Sequence, residues 1–165
     1  MINNKKTEQG AHIEELRSAI EHRATWFALL VEEARKRGLD LSFARDAIYR
    51  CGAFHGESKL PRTDDLGVFT DAFLTENIKK IFEMETEVTK DQLTVTFHYC
   101  PLVAAWQKLG VSEEDIAEYC DIAMDGDRGI VSTYENFEYR LGDTIAKGCN
   151  SCQLFVTKKK DSQDK

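Results

Sequence analysis

The sequence predicts an α+β fold: a helical N-terminal half packed on a small, mostly antiparallel sheet of about four strands, with two further helices. A change of hydrophobic period and the placing of the helix-ending residues carry this reading. Apolar residues recur at spacings of three and four up to about residue 81, and from residue 82 they alternate with polar ones. Ile13, Leu16, Ile20, Ala24, Phe27, Leu30, Val31 and Ala34 form one stripe, which Gly38 should end as a helix cap. From Asp40 a second stripe, Leu41, Ala44, Ile48 and Cys51, should stop near Gly52 or Gly56. Residues 56–67, with Pro61 and a polar run, read as a loop, and Phe73, Leu74, Ile78 and Ile81 mark a third helix.

Phe82, Met84, Thr86 and Val88 then alternate with Glu83, Glu85 and Glu87. After the turn-like Thr89, Lys90 and Asp91, the residues Leu93, Val95 and Phe97 alternate with Thr94, Thr96 and His98, which predicts a hairpin. Pro101 suits the first turn of a helix that carries Leu102, Val103, Ala105, Trp106 and Leu109 and stops at Gly110. Ser112 with Asp115 three residues later has the form of a capping box, opening a helix with the stripe Ile116, Cys120, Ala123, Asp127 and Ile130. Two short strands follow, one with Phe137, Tyr139 and Leu141, the other with Cys152, Leu154 and Val156. Residues 1–10 and 158–165 read as flexible polar ends around a single domain of residues 11–157.

The 165 residues include 42% hydrophobic and 31% charged side chains, the balance of a chain that folds around its own core. With 22 Lys and Arg against 29 Asp and Glu the formal charge is -7, which disfavours nucleic acid as a partner. The basic run Lys158 to Lys160 is flanked by Asp161 and Asp164 and reads as a solvated tail. No stretch approaches the roughly 20 apolar residues of a membrane span, and the first residues carry no apolar signal run, so a cytoplasmic protein without a membrane partner is expected. Cys51, Cys100, Cys120, Cys149 and Cys152 are odd in number, so they cannot all pair internally, and a reducing compartment is implied. The long first helix would serve a homodimer as well as the core.

The stretch His98, Tyr99, Cys100, Pro101 is the most informative. If the strand continues, His98 and Cys100 share a face with Thr94 and Thr96, which sets an imidazole beside a thiol. Cys100 would cap the helix opened by Pro101, where free amides and the helix dipole favour a thiolate titrating near neutrality. The plain alternative is an exposed histidine and an unreactive capping cysteine. Cys120 lies in an apolar stripe and reads as a buried thiol, as does Cys51, while Trp26, Phe27 and Trp106 read as core. Asp127 falls on the same stripe as Cys120 and must be paired, bind a metal or hold a raised pKa, unless Gly126 and Gly129 end the helix and turn it to solvent. Asp121 and Asp125 sit on another face and read as solvated. Cys149 and Cys152 form a CxxC without a matching second pair, and a strand follows it, so neither a zinc knuckle nor a thioredoxin-type motif is supported.

Residues 100–110, opening Cys-Pro and closing Leu-Gly, together with Tyr-Cys-Asp-Ile-Ala-Met at 119–124 and Lys-Gly-Cys-Asn-Ser-Cys-Gln-Leu-Phe at 147–155, resemble the L-2-amino-thiazoline-4-carboxylic acid hydrolase family. The resemblance covers residues 82–157 and matches Cys100, Cys120 and Cys152 to the family pattern. It implies hydrolytic opening of a five-membered ring containing sulfur and nitrogen, giving a carbamoyl-cysteine. Under it, Cys100 attacks the amidine-like carbon while His98 moves the proton, or water is activated by Asp127 or by one divalent metal held among Cys100, Cys120, Cys152 and His98. Arg128 and Arg140 are its candidates for the substrate carboxylate. The competing expectation is a non-catalytic module that holds a small molecule or a metal in a cysteine-lined pocket. In either case the three thiols should converge in the interior.

Overall fold

The computed structural model describes residues 1–160. In chain order the elements are α1 (Ala11–Lys36), α2 (Ser42–Lys59), α3 (Leu66–Phe73), α4 (Glu76–Phe82), β1 (Met84–Val88), β2 (Gln92–Phe97), α5 (Pro101–Leu109), α6 (Glu113–Ala123), α7 (Asp125–Ser132), β3 (Phe137–Leu141), a 3-10 turn (Ile145–Lys147) and β4 (Cys152–Lys158). The strands form one antiparallel sheet in the order β1-β2-β4-β3, so the fold is α+β as expected. Leu93, Val95 and Phe97 of β2 and Cys152, Leu154 and Val156 of β4 are buried on the inner face, and Phe97 pairs with Cys152 across the ladder. The other face carries Thr94, Thr96, Gln153 and Arg140, polar and at least partly exposed.

Local chemistry explains the boundaries. Ser112 caps α6 by accepting the Asp115 N–H at 3.1 Å, and Gly110 ends α5 at a φ of 79°, a left-handed conformation that glycine adopts without strain. The expected third helix is two, because Thr75 starts a fresh cap by accepting the Ile78 N–H. The helix expected to run from Ser112 through Ile130 is also two, with Met124 at the junction of α6 and α7.

Helix α2 does not stop at Gly52 or Gly56. Both lie on its buried face, where α2 meets α7 backbone to backbone: a Cβ on Gly52 would sit 1.9 Å from the Gly126 carbonyl oxygen, and one on Gly129 would sit 2.1 Å from that of Tyr49. Glycine serves close approach here rather than termination. The same packing turns Cys51 outward, so it is exposed and not core.

On α1 the buried line is Ile13, Arg17, Ala24, Ala28, Val31 and Ala34, rotated from the expected stripe; Leu30 and Trp26, both expected inside, are 60% and 64% exposed. Trp106 does lie in the core and donates its Nε1–H to the Ala24 carbonyl at 2.9 Å, fixing α1 against α5. Arg17 is buried because each arm of its guanidinium is occupied: Nε donates to Ile81 O at 3.0 Å, Nη2 to Glu83 at 3.0 Å, and Nη1 to Glu8 O at 2.8 Å.

The chain ends depart from their expected looseness. Ile2 is buried in the main core cluster, and Thr7 and Glu8 donate their N–H groups to Glu83. At the other end Lys158 belongs to β4 and pairs with Phe137, while the rest of the expected tail beyond residue 160 lies outside the described residues.

Candidate functional site

Strand β2 ends at Phe97, and the chain then leaves the sheet, with the His98 N–H donating to Glu83 O and the Tyr99 N–H to Phe82 O. Alternation therefore does not carry through to Cys100. His98 stays on the outer side, 43% exposed, with Nε2 3.3 Å from the Glu85 carboxylate, whereas Cys100 turns inward and is buried. The expected imidazole–thiol pair does not form. Asn4 clamps the Cys100 backbone in place: its Nδ2 donates to Cys100 O at 2.8 Å and its Oδ1 accepts the Cys100 N–H at 2.9 Å.

Cys100 does begin α5, as expected from Pro101. Its thiol is nevertheless pushed up to about 11, because burial outweighs the amides of Val103 and Leu102 and the positive charge of Arg23, all of which favour the thiolate. A helix N-terminus and a nearby cation lower a thiol and apolar burial raises it, and here burial is the larger effect.

Cys120 from α6 and Cys152 from β4 are buried beside it. Burial raises both, Cys152 to about 12, and each is raised further by the other cysteines: Cys120 by Cys100 and Cys152, and Cys152 by Cys100 and Cys149. Three elements thus bring three thiols into one electrostatic neighbourhood. The Ile145 N–H, opening the 3-10 turn, donates to the Cys152 sulfur at 3.1 Å. Among the described residues no three His, Cys, Asp or Glu side chains are grouped to hold a metal ion. Cys149 is half-buried.

Asp127 sits at the start of α7 and is half-buried. Burial lifts its carboxyl to about 6 against the pull of Arg128 and Arg23. Tyr139 on β3 is raised first by burial and then by both Asp127 and Cys120, so it faces charge from α6 and α7 alike. The alternative in which Asp127 turns to solvent does not hold.

The two candidate arginines are engaged elsewhere. Arg128 binds Asp125 at 2.6 Å and Asp121 at 2.8 Å, and Arg45 of α2 completes the cluster at 2.8 Å from Asp121 and 3.2 Å from Asp125. Asp125 is buried in that ion-pair network and not solvated. Arg140 lies on the outer face of the sheet, its guanidinium 3.9 Å from the Phe155 ring centre, opposite the face that holds Cys152.

Two groups near the thiols had no signal in the sequence. Arg23 projects from the exposed side of α1, and its charge reaches both Cys100 and Asp127. Thr144, immediately before the 3-10 turn, is buried, and its hydroxyl has no hydrogen-bond partner. Two surface hollows lie elsewhere: one of about 730 Å³ is bordered by Arg17, Glu21, Tyr99 and Lys108, and one of about 600 Å³ by Glu83, Glu85 and His98. Neither is lined by Cys100, Cys120, Cys152 or Asp127.

Comparison with known proteins agrees with this architecture. Among solved structures, a trafficking protein particle complex subunit 3 from Naegleria fowleri, covalently bound to palmitic acid, is similar with a TM-score of 0.54 at 16% identity, over 85% of this chain and 95% of that one. At that identity the likeness is one of fold. No curated protein matches the sequence. The family model described as L-2-amino-thiazoline-4-carboxylic acid hydrolase matches residues 17–156, a span that takes in Cys100, Cys120, Asp127 and Cys152. By that match the chain belongs to the L-2-amino-thiazoline-4-carboxylic acid hydrolase family.

Proposed function

We propose that this protein is a hydrolase of small cyclic amidine-like C–N/C–S compounds of the 2-amino-thiazoline-4-carboxylate type, acting where Cys100, Cys120, Cys152 and Asp127 meet. Two observations support the reading: Cys100, Cys120 and Cys152, from three elements, are buried in one core cluster, and the Asp127 carboxyl is lifted to about 6. A carboxyl titrating there exchanges protons readily near neutral pH, which suits a general acid–base group better than the outward-facing His98 does.

In this reading Cys100 is the nucleophile. A cationic amidinium ring entering the site offsets the burial that holds the thiol protonated, and the amides of Val103 and Leu102 then support the thiolate. The Cys100 thiol gives its proton to Asp127 as its sulfur adds to the carbon between ring sulfur and nitrogen, and the ring C–S bond breaks, the leaving sulfur taking that proton from Asp127. Water then displaces Cys100, so that one water is consumed and the thiol is restored. Arg23, which forms no ion pair among the described residues, takes the substrate carboxylate in place of Arg128 and Arg140. Five free cysteines suit a reducing compartment such as the cytoplasm.

The closed cysteine cluster favours a second reading, a non-catalytic module that holds a ligand among the thiols. The covalently bound palmitic acid in the structurally similar subunit 3 gives that ligand a precedent on this fold.

Incubation of the purified protein with 2-amino-thiazoline-4-carboxylate, with mass-spectrometric detection of the carbamoyl-cysteine, separates the two. Turnover by wild type and Cys51→Ser, but not by Cys100→Ser or Asp127→Asn, is the expected result. No turnover by wild type, with an acyl adduct in its intact mass, would favour the binding module.

A further inference from the structure

Buried polar atoms without a partner are rare in folded proteins, and strain, a catalytic role or a bound group accounts for them. Thr144 is 2% exposed, and its Oγ1 has no hydrogen-bond partner. Its carbonyl is used, accepting from the Lys147 and Cys149 N–H groups. The next residue, Ile145, directs its N–H at the Cys152 sulfur at 3.1 Å, so the idle hydroxyl stands one residue from a contact with the cysteine cluster. The 3-10 turn behind it packs on α6, the helix that carries Cys120. A threonine that only filled space here could be replaced by valine without loss, because valine has nearly the same shape and lacks the unpaired hydroxyl.

We propose that Thr144 is a substrate-binding residue whose hydroxyl accepts a hydrogen bond from the amino group on the reacting ring carbon, making the site selective for 2-amino-substituted rings. The inference rests on the hydrolase reading above. Geometry and charge set the direction in which a substrate lies. The carboxylate belongs at the exposed cation Arg23, which leaves the amidine end for the interior, where the acceptor beside the thiols is a neutral hydroxyl. A site built to hydrogen-bond a substrate N–H rejects an analogue that lacks it far more strongly than a purely apolar pocket does.

The test uses Thr144→Val and Thr144→Ser in the full chain, with 2-amino-thiazoline-4-carboxylate and its 2-methyl analogue as substrates and thermal denaturation in parallel. Thr144→Val should keep or raise the melting temperature, since it removes a buried unpaired hydroxyl, and should lower kcat/KM for the amino substrate by roughly tenfold to a hundredfold, leaving the methyl analogue unaffected. Thr144→Ser, which keeps the hydroxyl, should restore most of the loss. A Thr144→Val protein with unchanged discrimination between the two rings overturns the inference and leaves the hydrolase reading standing. A loss shared equally by both substrates, with a lowered melting temperature, also overturns it by showing a structural role. Absence of turnover in wild type removes the hydrolase reading and this inference with it.

Discussion

Replacing Asp127 by asparagine should make the protein more stable at neutral pH and less active. The carboxyl is lifted from an ordinary 3.8 to about 6 by burial, with Arg128 and Arg23 only partly opposing the shift. A shift of that size corresponds to about 3 kcal/mol between the two protonation states, and because the side chain is only half-buried, about 2 kcal/mol is the more realistic share. The sign follows from proton counts. Below 3.8 the acid is protonated whether the chain is folded or not, and it makes no difference to stability. Between 3.8 and about 6 the folded form keeps a proton that the unfolded form has released, so rising pH draws the equilibrium toward unfolding; above 6 the full penalty is present.

Asparagine removes the penalty. Urea unfolding of both proteins at several pH values from 4 to 8 should therefore give stabilities that nearly coincide at the acid end and diverge through the window from 3.8 to about 6, with the variant ahead by about 2 kcal/mol at pH 7. Comparing the two proteins at each pH cancels the depressed carboxylates Asp115 and Glu83, which act in the opposite sense. Parallel curves, or a variant less stable than wild type at pH 7, would show that ionised Asp127 has a favourable partner and that burial does not govern it.

Gly52→Ala should lower stability by roughly 2–4 kcal/mol in urea unfolding, because its Cβ meets the Gly126 carbonyl at 1.9 Å and backbone cannot yield as a side chain does; unchanged stability would contradict the close α2–α7 contact. Arg17→Met should cost about 3–5 kcal/mol by leaving Glu83, 6% exposed, without its cation, whereas a loss under 1 kcal/mol in the same assay would mean the pair adds little. Alkylation by iodoacetamide, read by peptide mass spectrometry, should reach exposed Cys51 first and Cys100, Cys120 and Cys152 last, and Asn4→Ala should speed the reaction at Cys100 more than at Cys120; equal rates in the variant and wild type would show that Asn4 does not guard the thiol.

What was legible in the sequence was whatever depends on neighbours along the chain. The β1–β2 hairpin, the Ser112 cap, the stop at Gly110 and the helix opened by Pro101 all follow from spacings of four residues or fewer, and the structure has them where expected. Partners distant in sequence were invisible. Asp125 looks solvated until Arg45 arrives from α2, and nothing near Arg17 in the chain points to the Ile81 carbonyl and Glu83 that hold it in the interior. Gly52 has the form of a helix stop, and only the approach of α7 shows that it is a contact.

The burial of Cys100, Cys120 and Cys152 in one core cluster could be reasoned from their places on three elements, because only the interior is common to a helix start, an apolar stripe and an inner strand face. The pairing of His98 with Cys100 failed since strand parity holds only while the strand continues, and β2 ends at Phe97. Arg23 and Thr144 carry no motif; one is known by the groups its charge reaches, the other by a bond it does not make.

The strand order β1-β2-β4-β3 has a consequence for the order of assembly. β4 follows β3 in the chain yet lies between β2 and β3, so β3 has no partner strand until it arrives and the β1–β2 hairpin keeps one open edge. Before it arrives, β2 and β3 present unpaired edges, and such edges invite pairing with other chains. Its docking joins residues about sixty positions apart, Phe97 with Cys152 and Val95 with Leu154, a separation that makes the closing step slow relative to the local helices. The same step delivers Cys152 to Cys100 and Cys120, so a chain still lacking residues 152–158 on the ribosome holds an incomplete cysteine cluster as well as an open sheet. Closure of the sheet and burial of Cys152 are therefore a single event.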